Sequence, residues 1–261
     1  MSSMSRHKEK KLNHLMTEWV PDTVAVQPWL EKRGIYRQLA DAYVKSGWLE
    51  KLGRGAFIKT GDTVQWTGGL YAIQKQLELS IHIGGLTALS MKGFAHYLAL
   101  GEDRVVTLFG VPDEKLPAWF VKAPWQIRLI YASTNLFSDH KLGLTESKDE
   151  AFNVTLSTPE RAMMELIYLM PKYAHYDEAQ LAMESLTTLR PNLVQSLLED
   201  CNSIKVKRFF MWLAEHNQHQ WVNRLNLAHV DFGKGKRTIV KGGVFNKKYQ
   251  ITVPKYDQQQ E

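Results

Sequence analysis

The sequence predicts an α+β protein: an N-terminal winged helix-turn-helix followed by a mixed α/β domain that ends in basic β-hairpins. Three observations point there. Within the first sixty residues, three short helical patterns precede two apolar runs joined by Gly53-Arg54-Gly55. Beyond them, β-branched and aromatic runs are interspersed with segments of helical periodicity. The 261 residues, 44% hydrophobic, are enough for two modest domains. We place the boundary near residue 60, giving a winged DNA-binding module over 1–60 and a second domain over 61–261.

The first segment, "SRHKEKKLNHLMTEW", puts Leu12, Leu15, Met16 and Trp19 on one helical face, with Ser5 as a candidate cap. "VPDTVAV" reads as a turn or cap at Pro21, Asp22 and Thr23. A short second helix, "VQPWLEKRG", carries Pro28 in its first turn and stops at Gly34. In "IYRQLADAYVKSG" the apolar set Ile35, Leu39, Ala42 and Tyr43 recurs at helical spacing, and Gly47 ends the helix. At about 100° per residue, Arg37, Asp41 and Val44 lie opposite that stripe, with Gln38 and Lys45 on one flank and Tyr36 on the other. Trp48, Leu49 and Leu52, then Ala56, Phe57 and Ile58, make two strands whose glycine-enabled turn presents Arg54. Such a tripeptide alone usually closes a surface hairpin; its place after three helices makes it a wing. Asp41 repels phosphate, and either accepts from a cytosine amino group or sits away from the groove.

Past residue 60, "TVQWTGGLYAIQKQLELS" reads as a helix and "IHIGGLTALSMKGFAHYL" as a glycine-broken apolar segment with a further helix. "DRVVTLFGV", "PAWFVKAPW" and "QIRLIYAS" read as strands. "LSTPERAMMELIYLM" starts a helix at Ser157 or Thr158, with Pro159 in the first turn and Glu160 completing a capping box if Ser157 is the cap. Helices follow in "DEAQLAMESLTTL", "RPNLVQSLLEDC" and "IKVKRFFMWLAEHN", and Met163, Leu166, Ile167, Met170, Phe210 and Leu213 are assigned to the core. "VDFGKGKRTIVKGGVFNKKYQITVP" closes the chain with short β runs between glycine turns.

Charge is concentrated at the two ends. Residues 1–60 hold 11 Lys or Arg against 6 Asp or Glu, residues 232–256 hold 7 against none, and 61–231 hold 15 against 19. Clustered cations attract a polyanion and release its condensed counterions. No apolar run has the length of a membrane span, and "MSSMSRHKEKKLNHLM" has charges where a signal peptide needs apolar residues, so a cytoplasmic protein without a membrane partner is expected. The lone Cys201 allows neither an internal disulfide nor a cysteine-rich zinc site and reads as an inert, partly buried thiol. His216 and His219 have a metal-compatible spacing but no third ligand, and read as polar surface histidines. "GKGKR" lacks the glycine spacing and Lys-Ser or Lys-Thr of a phosphate loop. No catalytic, metal or cofactor site is expected, and the chain is read as a non-enzyme.

Four segments, "YRQLADAYVKSGWLEKLGRGAFI", "GGLTALSMKGF", "LSTPERAMMELIYL" and "FGKGKRTIVKGGVFNKKYQITVP", resemble in their order the AbiEi family of antitoxins from bacterial type IV toxin-antitoxin systems. The first looks like the family's winged domain, the middle two like parts of its C-terminal domain, and the last like its basic ending. The resemblance implies binding to inverted repeats in the chain's own promoter, repression of transcription, and antitoxicity from the second domain. It also implies a nucleotidyltransferase-like toxin as functional partner, with no stable complex. The chain itself lacks the Gly-Ser and paired aspartates expected of that toxin.

On this reading Tyr36, Arg37 and Gln38 make base-edge or nearby contacts, and Lys45, Lys51, Arg54 and Lys59 hold phosphates. Lys234, Lys236, Arg237, Lys241, Lys247 and Lys248 extend that track if the two ends meet on one side. Cooperative self-association on paired half-sites stays open, as no residue fixes stoichiometry. Two alternatives remain: a stand-alone winged-helix regulator with no toxin, or an RNA-binding protein that stacks bases beside "FGKGKRTIVKGG". A metal nuclease would need converging carboxylates, which the sequence neither shows nor forbids.

Overall fold

The structure, a computed structural model, describes residues 3–94, 104–147 and 151–255, with side chains from Lys10 onward. Helix α1 (Ser3–Glu18) lies against a compact unit made of strand β1 (Ala25–Val26), helices α2 (Gln27–Glu31) and α3 (Arg37–Lys45), and the hairpin β2 (Leu49–Gly53) and β3 (Ala56–Lys59). Leu12, Leu15 and Trp19 are buried as their spacing requires, and they share one cluster with Leu30, Ile35, Tyr43 and Phe57. Proline in the first turn starts α2, and Gly34 and Gly47, both at positive φ, follow α2 and α3. The buried stripe of α3 differs from the expected one. Ala40 is fully buried where Ala42 was expected, and Val44 packs on the cluster rather than facing outward. The stripe is set by the cluster that α3 joins with α1, α2 and the hairpin, which local periodicity does not encode.

Strand order in the wing sheet is β1-β3-β2, with Ala25 opposite Phe57 and Val26 opposite Ala56. β1 was not foreseen: the turn was placed at Pro21, Asp22 and Thr23 and the next helix from Val26, and two residues are too few to display alternation. Its other edge is occupied by the Gln76 carboxamide, which accepts from the Val26 N–H at 2.9 Å and donates to the Val24 carbonyl at 2.8 Å. Gln76 ends a π-helical turn (Ala72–Gln76) that continues helix α4 (Trp66–Tyr71). A side chain thereby satisfies an edge that would otherwise be open.

The body is built on a five-stranded mixed sheet of order β6-β5-β4-β8-β7, from β4 (His82–Ile83), β5 (Val105–Gly110), β6 (Arg128–Ser133), β7 (Leu144–Glu146) and β8 (Thr155–Ser157). Parallel strands β5 and β6 need a crossover, and it contains helix α6 (Ala118–Lys122), preceded in the chain by α5 (Gly85–Met91). The α6 segment was expected to be a strand. Pro117 caps a helix instead, and the adjacent Trp119 and Phe120 are both buried, which the two-residue alternation of a half-exposed strand would not allow. Helix α7 (Pro159–Leu169) is buried almost all round, packed by α5, α8 (Tyr176–Ser185), α9 (Pro191–Asp200) and α10 (Ile204–His216). Met163, Leu166, Ile167, Met170, Phe210 and Leu213 are in the core as assigned. The basic ending is a three-stranded sheet of order β10-β11-β9. The hairpin β10 (Val244–Asn246) and β11 (Ile251–Val253) takes β9 (Arg237–Thr238) as a parallel neighbour, where hairpins alone were expected. Cys201 is buried, and burial pushes its thiol up to about 11, away from reactivity.

A buried polar cluster locks sheet to helix. The Glu165 carboxylate of α7 accepts from Arg161 Nε at 2.8 Å, Ser157 Oγ at 2.7 Å and the Gly85 N–H at 3.2 Å, and lies 2.9 Å from His82 Nε2. A β-carbon on Gly84 would stand 2.2 Å from Glu165 Oε2, so the glycine is required by that approach. Ser157 therefore serves the carboxylate instead of capping α7, whose cap is Thr158, and Glu160 turns to a two-pronged pairing with Arg190. Burial raises the Glu165 pKa, but the charges and hydrogen bonds of His82 and Arg161 prevail and hold the carboxyl at about 2.

Two outcomes are expected. Glu165→Ala leaves Arg161 buried without its partner and should cost about 3–5 kcal/mol in urea unfolding. Because the folded carboxyl titrates below its ordinary value, its stabilisation is complete above the carboxylate range and is lost as pH falls toward about 2. Unfolding midpoints taken between about pH 6 and pH 3 should therefore fall more steeply in the wild type than in Glu165→Gln.

Candidate nucleic-acid interface

The outward side of α3 begins at its N-cap, Tyr36, whose backbone is extended and whose carbonyl accepts the Leu39 and Ala40 N–H groups. Tyr36 is 63% exposed, and Trp48, just past the helix end, is 53% exposed. Large aromatics at that exposure flank a row of polar residues: Arg37, Gln38 and Lys45 are all exposed. The spacing argument located this row correctly. It gave no sign of Trp48, which was read as a strand residue; an apolar side chain left in solvent is its one signal.

Alternation in the hairpin decides where the wing's cations point. Lys51 pairs in register with Phe57, and Leu49 with Lys59, so both lysines share the face that meets the helices. Lys51 Nζ lies 2.6 Å from Asp41 Oδ1, joining wing to helix. The hydrogen bond from Lys51 holds the Asp41 carboxyl below its ordinary range against desolvation, with further help from the charges of Lys51, Arg37 and Lys45. Three expected phosphate or base contacts thus gather about the one acid that the sequence left unexplained, and their charges outnumber it. Lys59 is used differently: its ammonium donates to the Trp19 carbonyl at 2.9 Å and lies over the indole at 5.8 Å. Arg54 stands exposed at the turn, with Gly55 at φ +72° closing it.

The wing is seated on the body. A β-carbon on Gly53 would come within 2.8 Å of Trp119 Cβ, so the strand runs directly along α6.

At the other end, Lys234, Lys236, Arg237, Lys241, Lys247 and Lys248 are all exposed. Their loop is wound around the side chain of Arg208 from α10, whose guanidinium donates to the carbonyls of Phe232 at 2.7 Å, Gly235 at 2.6 Å and Gly233 at 3.0 Å. Lys248 pairs with Glu215 at 2.6 Å, and Lys236 lies over the Phe245 ring at 5.1 Å. The wing rests on α6 and the basic ending on α10, so the two cationic groups have separate supports. Arg208 was read only as part of a helix, since its role depends on a loop 24 to 27 residues away.

Of the two histidines weighed for metal binding, His216 is on the surface as expected and His219 is not. His219 is buried rather than on the surface, with Nε2 2.8 Å from the Met183 carbonyl, and His216 stacks on Trp212. Among the described residues no three His, Cys, Asp or Glu side chains group as metal ligands, and no helix is long and apolar enough to cross a membrane.

A winged helix bearing cations, fused to an α/β body, places the chain in the structural class of winged-helix proteins. Two family models match it, one described as the N-terminal domain of the AbiEi antitoxin transcriptional regulator over residues 8–100, the other as the AbiEi antitoxin transcriptional regulator of type IV toxin-antitoxin systems over 103–254. The chain belongs to the AbiEi antitoxin family. Among solved structures, the RV2827C protein from Mycobacterium tuberculosis matches with a TM-score of 0.58 at 12% identity, over 93% of this chain and 89% of that one, a likeness of fold. No curated protein matches.

The Asp41–Lys51 pair is open to direct measurement. In an NMR pH titration the Asp41 carboxyl should titrate below the usual aspartate value, and Lys51→Met should return it toward that value.

Proposed function

We propose that this antitoxin-family regulator acts as an autorepressor: the winged module over 1–60 binds inverted repeats in its own promoter, and the domain over 61–261 counteracts a nucleotidyltransferase-like toxin without a lasting complex. The reading places the protein in the cytoplasm, acting by binding rather than catalysis. Its main support is the gathering of Arg37, Lys45 and Lys51 around Asp41, beside the exposed Arg54 of the wing. In a helix-turn-helix the first residues of the recognition helix reach base edges, which here are Tyr36, Arg37 and Gln38. Arginine suits guanine and glutamine suits adenine, each through two hydrogen bonds. Lys45, Lys51 and Arg54 then hold phosphates on either side and set the register. Asp41 keeps Lys51 in place, so the acid serves the phosphate contact instead of opposing it. Lys59, tied to the Trp19 carbonyl, holds α1 to the wing. The cations of the basic ending supply a second contact with the polyanion.

The test has two parts. Fluorescence anisotropy with the promoter duplex should give a loss of affinity for Arg54→Ala at every sequence, with the slope of log K against log salt reduced by about one. Arg37→Ala should cost about 1–3 kcal/mol at one base pair and relax the preference there. An unchanged salt slope removes the wing contact from the account. Co-expression with the neighbouring gene product, scored by growth, tests antitoxicity, and a non-toxic neighbour would reduce the protein to a stand-alone regulator.

A further inference from the structure

On the inner side of the basic ending a cavity of about 350 Å³ opens between the chain that follows β6, the start of α10 and strand β9. Thr134, Asn135, Tyr168, Asn202, Lys205 and Arg237 line it. Strand register explains how Arg237, itself exposed, comes to line the cavity. Arg237 is opposite Ile251, which is fully buried, so the two share the face turned toward the body. The preceding Lys236 lies on the other side, over Phe245. The basic ending is therefore two-sided, and Arg237 belongs to the pocket.

The pocket carries positive charge without a matching acid. Lys205 donates to the carbonyls of Met170 at 2.7 Å and Tyr168 at 3.4 Å, using two of its three protons. Burial pushes its pKa down. Arg208 is lowered by burial and then by the charge of Arg237, with Asp231 opposing, so the two guanidinium groups repel each other. Among the described residues neither Lys205 nor Arg237 is in an ion pair. A desolvated lysine beside an exposed arginine, neither answered by an acid, is stabilised by an anion, and the Arg237 guanidinium, which gives Nη1 to the Lys236 carbonyl, keeps further donors for a phosphate. The volume lies at the low end of ligand clefts, roughly 300–1,000 Å³. That is room for a mononucleotide and not for a duplex.

We propose that this pocket binds a phosphomonoester of mononucleotide size, with the phosphate between Lys205 and Arg237 and the remainder against Tyr168, Thr134 and Asn135. A free nucleotide and the 5′-phosphorylated end of a nucleic-acid strand offer the same chemistry. The site is separate from the recognition helix and does not depend on the duplex reading.

Isothermal titration of the full chain with adenosine and cytidine monophosphates, inorganic phosphate and unphosphorylated adenosine tests it. The nucleotides should saturate, and adenosine should bind at least tenfold more weakly. Arg237→Gln, at an exposed position, should weaken nucleotide binding at least tenfold, while Arg54→Ala leaves it unchanged. Lys205→Gln should act likewise, with its melting curve recorded alongside; should it fail to fold, Arg237→Gln still decides. A labelled single strand with and without a 5′-phosphate separates the sources. A tenfold gain from the phosphate assigns the pocket to strand ends, and no gain beside tight mononucleotide binding assigns it to free nucleotides. Absence of saturation at millimolar nucleotide by folded protein, or binding indifferent to Arg237→Gln, overturns the proposal.

Discussion

At β1 and the start of β3 the wing sheet is buried on both faces, and the rest of the molecule follows from that constraint. Ala25, Leu49 and Phe57 close the helical cluster on one side, while Val24, Val26 and Ala56 enter the large core of the body on the other. In most half-exposed sheets the second face is polar; here β1 and the start of β3 are apolar on both, as in a strand covered on each side, and only β2 carries charges. Burial of each valine contributes roughly 1.5–3 kcal/mol, and none of it is available to a winged helix standing alone. Gln76 on the edge of β1 and Trp119 against Gly53 add polar and steric links across the same boundary. The orientation of the wing is consequently a property of the whole chain, although the division of labour we propose falls near residue 60.

Net charge overstates what is free to meet a ligand. Of the basic side chains, Arg161 and Arg208 are buried and answered by Glu165 or by carbonyls, and Lys11 and Lys59 donate to the Gly34 and Trp19 carbonyls. These cations hold the fold together: Arg208 fixes the loop that carries Lys234 and Lys236, and Lys59 fixes α1 to the wing. An arginine can do this because its fork satisfies several carbonyls at once. Of the exposed cations, Arg37, Lys45 and Arg54 stand together at one end and Lys234, Lys236, Arg237, Lys241 and Lys247 at the other, while Lys51 and Lys248 are already paired with Asp41 and Glu215.

The sequence was most legible where structure is local. The three helices, the glycine turn and the burial of Leu12, Leu15 and Trp19 follow from spacing and capping within a few residues. Legibility stopped where a distant partner decides. Ala40 displaced Ala42 because of what faces α3, Pro117 and two adjacent buried aromatics turned an apparent strand into α6, and β1 was too short to announce itself. Of the site, the row from Tyr36 to Lys45 and the tip at Arg54 were readable, because helix phase and turn chemistry fix them. The Asp41–Lys51 pair and the use of Lys59 depend on hairpin register against α3 and α1. The Glu165 cluster joins His82 and Gly85 to Ser157 and Arg161 across some 80 residues. Its traces in sequence were the paired glycines of "HIGGL" and the charged start of "STPERAMMEL", two segments that also carried the family resemblance and that the fold brings into contact.

The path from the inner pocket to the wing is short and made of regular structure. α6, on which the wing lies, is in the crossover that leads into β6, and Thr134 and Asn135 of the pocket follow that strand's last residue. β6 is hydrogen-bonded along its whole length to β5, with Val105 to Gly110 opposite Arg128 to Ser133. A strand held in this way transmits displacement without much local deformation, since a packed core resists compression. Adjacency alone makes no switch: a ligand biases the wing only by binding two seatings of α6 with different affinity. Were that so, reciprocity would require duplex to change nucleotide affinity by the same factor that nucleotide changes duplex affinity. A rigid pocket would give a factor of one in both directions, and the shared sheet would then serve to hold the wing still.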